Sequence, residues 1–334
     1  MRVIHPRDAE RLAKAAARAR GLADEHAELL ARALVSTSLR GVDSHGLRLL
    51  PLYLRELEEG RANPRPRWTW TSPRPALTVL DADAAPGVVA GLVAATRAAE
   101  LARAQGLGLV SVVNSNHFGA ASVYTLELAR HGLLGLCCSN ADPLMAAPGA
   151  RVATLGTNPL SIAMPTSGEP FCLDMATSQV AWGRVKATWA AAGRLPPGWA
   201  RDADGRDCAE PGAGPPVLAQ TLGGSKGAGL ALAVELLCAG LVGAGFGNQQ
   251  SHLFAAPWDR PREVVHTLIA IDIAAFGEPE PLLARVSDYL GWYRAQPRVD
   301  GQPGIVPGDL EAQAEQERAD ELEIEDAVAE ALGI

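Results

Sequence analysis

A mixed α/β chain with helices gathered at both ends is the fold class this sequence predicts. Three observations carry that expectation. Alanine-rich stretches with helical spacing fill the chain up to about Gly60, short apolar runs alternate with helical ones through the middle, and helical patterns return after Pro279. Pro6 and Asp8 suit a helix start, and that run ends near Gly21. Asp24 opens a second helix with Leu29, Leu30, Ala33 and Leu34 on one face, and a third is expected from about Pro51 to Gly60. The stretch "RANPRPRWTWTSPRP" reads as a linker. Beyond it, "ALTVLD" and "LGLVSVVN" read as buried strands on either side of the helix "PGVVAGLVAATRAAELARAQG". "ASVYTLELARHG" is a further helix, followed by the strand-like "LLGLCCSN" and the shorter apolar runs "VATLG", "LSIAMP" and "PFCLD". Gly193 to Pro216 has turn chemistry throughout. A glycine-rich helix, the strand "VVHTLIAIDI", a helix from Pro279 to Gln296 and a helical acidic tail complete the chain.

Composition sets the bounds. With 334 residues, 48% of them hydrophobic and 20% charged, the chain can bury a large core in more than one layer. A net charge of −8 argues against a nucleic-acid partner, which would need a basic surface. Cys137, Cys138, Cys172, Cys208 and Cys238 form no CxxC pair and read as reduced residues of a cytosolic protein. The N-terminus has no apolar core of a signal peptide. Gly227 to Gly247 is long enough to cross a bilayer and carries a single charge, Glu235. Its glycines and alanines suit a helix packed in a core, and no aromatic belt accompanies it, so no membrane partner is expected.

The candidate sites each admit a bland reading beside a chemical one. No GxGxxG follows an expected strand, and "GGSKGAG" is not a Walker A sequence. Gly223, Gly224 and Gly227 could still let backbone amides approach a phosphate, with Lys226 as counter-charge, or could simply form a turn. In "GVDSHGLRLLPLYL", a helix starting near His45 would put Arg48 one turn on, with Ser44 beside them. Arg can clamp a carboxylate and His can exchange a proton with a hydroxyl, whereas the plain alternative is a polar helix cap. His117, in "NSNHFGAASVY", sits at a strand-to-helix junction, where α/β proteins place ligands, or is a structural histidine in a capping loop. Asp174 could orient a histidine, take a proton or bond a ribose, and could equally cap a following helix. The other five histidines lack such neighbours, and no ligand spacing supports a metal site.

Taken in order, "GVDSHGLRLLPLYL", "VVNSNHFGAASVY", "CSNADPLMAAPGA", "LGTNPLSIAMP", "LDMATSQVAWGRV", "LPPGWARDADG", "LGGSKGAGLAL" and "VPGD" resemble the type-2 malate/L-lactate dehydrogenase family, the sulfolactate dehydrogenase-like oxidoreductases. The resemblance implies a non-Rossmann NAD(P)-binding mixed sheet and a cytoplasmic homodimer whose active site is shared between subunits. It divides the chain into a helical, dimer-forming lobe from 1–72 and 274–334 and an NAD(P)-binding α/β core over 73–273. It implies hydride transfer between NAD or NADP and a small 2-hydroxy or 2-oxo carboxylic acid. His45 and His117 become the candidate acid/base groups, His45 slightly favoured, with Asp174 a third catalytic candidate and Ser44 and Arg48 touching substrate. Asp174, Met175, Ala176, Thr177, Lys226, Gly227, Pro307, Gly308 and Asp309 are expected along the cofactor. Departures from the family pattern are Ser225 and Ala228 around Lys226, and "ADELEIE" in place of a late "GIPL". The alternatives are reduction of a cyclic imino acid in the same fold and a nucleotide-binding homologue without catalysis; a hydrolase would need a nucleophile elbow that the chain lacks.

Overall fold

A seven-stranded sheet organises the computed structural model, which describes residues 2–299 and 301–334. In spatial order its strands are β2 (Thr69–Arg74), β3 (Leu77–Asp81), β4 (Leu107–Ser115), β11 (Val264–Asp272), β5 (Leu133–Ser139), β7 (Leu160–Met164) and β8 (Phe171–Met175). β3 and β4 are parallel, joined by the crossover helix α4 (Gly87–Gln105); every other pair in this sheet is antiparallel. β11 sits in the middle because its nearly continuous apolar run can be covered on both faces. Leu268 and Ala270 join the core under α4, while Val265, on the opposite face, packs with Val234 and Cys238. The helix α5 (Ser122–Arg130) lies beside α4, and α7 (Ser225–Glu235) runs into a π-helical turn, Leu236–Gly240.

The N-terminal helices α1 (Pro6–Ala19), α2 (Asp24–Leu39) and α3 (Leu50–Glu59) form where the apolar spacing predicts them. Their buried faces belong to the same hydrophobic cluster as α4 and β4. A small sheet holds β6 (Met145–Ala146), β10 (Leu218–Gln220) and β9 (Ala200–Arg201), with α6 (Trp182–Ala192) nearby in sequence. The helices α8 (Pro279–Arg294) and α9 (Asp309–Glu317) follow the main sheet. The chain closes by pairing β12 (Leu322–Ile324) with β1 (Arg2–Ile4), after which α10 (Asp326–Leu332) packs against α1 and α3.

Four local expectations need correction. The linker contains the edge strand β2, whose six residues are all exposed and so show no alternation of burial. The acidic tail is not helical throughout, because Leu322 and Ile324 turn inward as the alternating face of β12. "VATLG" forms no strand and contributes only a bridge from Leu155 to Met145. The segment around His45 is two 3-10 turns, Asp43–His45 and Leu47–Leu49, rather than the start of one helix. The glycine-rich segment is helical as expected, and no helix among the described residues is long and apolar enough to cross a membrane.

One glycine ties this packing to the loop after β4. Gly87, the first residue of α4, is so close to that loop that a Cβ would stand 2.1 Å from the Asn116 carbonyl oxygen and 2.6 Å from that of His117. Gly87→Ala is expected to destabilise the fold by about 1–3 kcal/mol or more, read as a lower urea midpoint, because backbone rather than a flexible side chain must move. An unchanged midpoint would contradict this packing.

Candidate active site

The end of β4 delivers the first half of the site. Asn116 is fully buried and its Nδ2 donates to the carbonyls of Ala84 (2.8 Å) and Ala85 (3.1 Å), while its Oδ1 accepts from the Arg262 amide at 3.2 Å. That pins the loop and presents His117 to a cavity of about 940 Å³. The Tyr53 hydroxyl, carried by α3, lies 2.7 Å from His117 Nδ1, and the Gly119 amide approaches the same nitrogen at 3.4 Å. With the amide donating to Nδ1 and the hydroxyl able to do the same, the neutral ring carries its proton on Nε2.

The turn after α2 delivers the second half. The His45 ring stacks near His117, with centroids 5.9 Å apart, and Ser44 Oγ lies 2.9 Å from His45 Nδ1. Asp174, near the end of β8, lines the same cavity, and its Oδ2 accepts the Ser122 amide at 2.8 Å. Asp174 therefore caps a helix, as its residue type allows, but the helix is α5 from a distant part of the chain. The helix after β8, α6, has Ala181 at its cap instead.

Burial and charge separate the two histidines. The surrounding protein lowers the pKa of both. For His45 the Asp174 carboxylate opposes that effect, whereas for His117 the neighbouring His45, Arg262 and His266 add to it. Asp174 is raised by the protein around it, partly offset by its bonds to Ser122.

Of the expected site residues, Ser44, His45, Arg48, His117, Asp174, Met175 and Ala176 line the cavity together. Thr177 is buried behind it, its hydroxyl on the Thr157 carbonyl at 2.9 Å. Lys226 and Gly227 open α7 outside the lining, and a Cβ on Gly227 would stand 2.2 Å from the Leu222 carbonyl. Pro307 and Gly308 pack on the backbone of Cys172, and Asp309 is clamped by Arg294 at 2.7 and 2.9 Å. Sequence reasoning missed Tyr53, Arg262, Asp142 and the loop from His252 to Ala255, all of which bear on the cavity. Tyr53 lies within the stretch that drew attention to His45; Arg262 carried no local signal. The fully buried Arg61 fastens that loop from beyond the lining, donating to the carbonyls of Leu253 (2.9 Å) and Ala255 (2.5 Å) and lying over the Trp258 ring. No His/Cys/Asp/Glu cluster suited to a metal occurs among the described residues.

Comparison with known proteins agrees with this architecture. A family model described as malate/L-lactate dehydrogenase matches residues 4–333. The chain is 36% identical, over 99% of its length and 97% of the relative's, to a (2R)-3-sulfolactate dehydrogenase (NADP(+)) of Chromohalobacter salexigens. Sulfolactate dehydrogenase of Methanocaldococcus jannaschii superposes with a TM-score of 0.92 at 30% identity, covering 99% of this chain and 95% of that one. A Δ1-piperideine-2-carboxylate reductase of Pseudomonas syringae superposes with a TM-score of 0.84 at 26% identity, covering 99% of each chain.

The buried histidines make stability pH-dependent. His266 is fully buried between Ser115 Oγ (3.0 Å) and Ser139 Oγ (2.9 Å), stacked on Phe118, and burial pulls its pKa down to about 3. Because the folded pKa lies below the unfolded one, its contribution is complete at neutral pH and is lost as pH falls below about 6.5. His266 alone is expected to remove about 1.4 kcal/mol per pH unit between about pH 6 and pH 5. Urea unfolding at both pH values checks this, with His266→Gln giving a shallower dependence; equal stability at the two would contradict it.

Proposed function

The chain belongs to the malate/L-lactate dehydrogenase family, and within it we propose an NAD(P)-dependent oxidoreductase acting on a small 2-hydroxy or 2-oxo carboxylic acid. The observation that carries the reading is the pair of facing histidines, His45 and His117, in one cavity with Asp174 and Arg48. The cavity suits a dinucleotide: Gly119 to Ser122 bring the N-terminal end of α5 to its wall, Lys186 adds a cation, and Leu144, Met175, Ala176 and Trp182 offer apolar surface. When bound, the nicotinamide supplies or accepts the hydride.

The protein's own groups do the rest. Arg48 grips the substrate carboxylate with its guanidinium and fixes which carbon faces the reacting side. His45, with Asp174 favouring its charged form, gives its proton to the substrate oxygen during reduction and takes it back during oxidation. His117 is held neutral and donates from Nε2 to the same oxygen, oriented by Tyr53. Met175 and Ala176 line the cofactor, with Thr177 supporting that strand end; Lys226, Gly227 and Pro307 to Asp309 are proposed for parts of the cofactor beyond the cavity.

A second reading is reduction of a cyclic imino acid, favoured by the likeness to the piperideine-2-carboxylate reductase and by the raised pKa of Asp174. There Asp174 would hold the proton destined for the ring nitrogen. We also propose a homodimer, with residues of both subunits at the site. Leu232 on α7, Leu236 and Leu241 after it, and Tyr289, Trp292 and Tyr293 on α8 leave large apolar side chains exposed in the single chain. The helical segments 1–72 and 274–334 form the dimer lobe in this reading, and 73–273 the cofactor-binding core. Five free cysteines support a cytoplasmic location.

Following reduced-nicotinamide absorbance with NADH or NADPH and matched 2-oxo and cyclic imino acids tests the function. His45→Gln is expected to lower kcat by about 10²–10⁴, and Tyr53→Phe by about tenfold, with the fold intact by circular dichroism. Full turnover in both His45→Gln and His117→Gln would remove the scheme, and cofactor binding without turnover of any substrate would leave a non-catalytic homologue.

A further inference from the structure

Arg48 already holds a carboxylate of its own chain. Its guanidinium is paired with Glu325, the last residue of the divergent "ADELEIE" stretch, and the two side chains are 52% and 44% exposed. Glu325 stands at the cap of α10, but its side chain makes no capping bond there, and among the described residues its carboxylate is paired with Arg48. The remaining guanidinium groups at the cavity are likewise matched: Arg40 donates to Glu315 at 2.7 Å, and the buried Arg262 is bonded to Asp142. The fourth cation, Lys186, lies over the Phe254 ring. Asp174 and Glu311 bring further carboxylates to the lining.

Such a charge inventory bears on the substrate. An exposed ion pair is weak, so a substrate carboxylate can displace Glu325 from one side of Arg48 at little cost. Among the described residues of this chain, a second anionic group on the substrate would meet Lys186, which the proposed function gives to the cofactor, but no guanidinium lacking a carboxylate, and would lie beside the carboxylates of Glu325, Asp174 and Glu311. We propose that Glu325 is a specificity-determining residue that restricts this cavity to substrates with one negative charge, a 2-oxo or cyclic imino monocarboxylate, by sharing Arg48 with the substrate. This rests on the proposed function and on Arg48 as its carboxylate clamp.

The test compares 2-oxobutanoate with oxaloacetate, matched at four carbons, in the full-length wild type, in Glu325→Gln, and in Glu323→Gln as a control. Glu323 lies on the exposed face of β12, so its substitution removes the same charge without touching Arg48. The wild type is expected to favour the monoacid in kcat/KM by tenfold or more. Glu325→Gln is expected to shift the ratio toward the diacid by about threefold or more, mainly through KM, and Glu323→Gln to leave it within about twofold. A wild type that prefers oxaloacetate, or a ratio that Glu325→Gln does not move, overturns the proposal while leaving the oxidoreductase reading intact. Silence toward all open-chain and cyclic substrates removes that reading and this proposal with it.

Discussion

The buried amide of Asn116 is the constraint on which the site depends. It is bonded to backbone from the turn before α4 and from the residue that leads into β11, and its own peptide lies against Gly87. A buried amide left without partners is costly, so these segments must come together for any of them to be stable there. His117 is the next residue. Its position is therefore set by the packing of the main sheet rather than by the loop that carries it, which is the condition for holding a reactive group to within a fraction of an ångström.

Charge is managed in the same manner. Glu235, the one charge in the apolar stretch, accepts the Gly247 amide at 2.7 Å and the side-chain amides of Asn158 (2.9 Å) and Asn140 (3.2 Å). That network turns a charge which would be costly in a bilayer into a joint between α7, β5 and the segment after the π-helical turn. Asn140 in turn lines the cavity, so the carboxylate stabilises one of its walls from behind.

Much of the fold was legible because burial and sequence period coincide. α1 and α2 show the helical period and β3 the alternation of a strand, while β4, β11 and α4 stand out as apolar runs long enough to be covered on more than one face. β2 was not legible, since an exposed edge strand containing Pro73 has no apolar alternation to read. At the site, Ser44, His45, Arg48, His117 and Asp174 stood out because polar groups cluster at the ends of apolar runs, and all of them reach the cavity. Tyr53 and Arg262 did not stand out. A tyrosine on a helix and an arginine in a proline-bounded loop acquire their meaning only when α3 and the start of β11 meet the end of β4. The direction in which Asp174 caps was hidden for the same reason: a side chain's partner across the sheet leaves no trace in its neighbours along the chain.

The clamp between Arg61 and the loop over the cavity joins two things that are separate in the chain. Arg61 follows directly on the helix that carries Tyr53, so the same rigid rod that orients the imidazole of His117 also anchors a wall of the chamber. That wall and the imidazole thus share one anchor. A shift of α3 that moved this wall would also move the hydroxyl away from His117, so the shape of the chamber and the orientation of its imidazole are not independent.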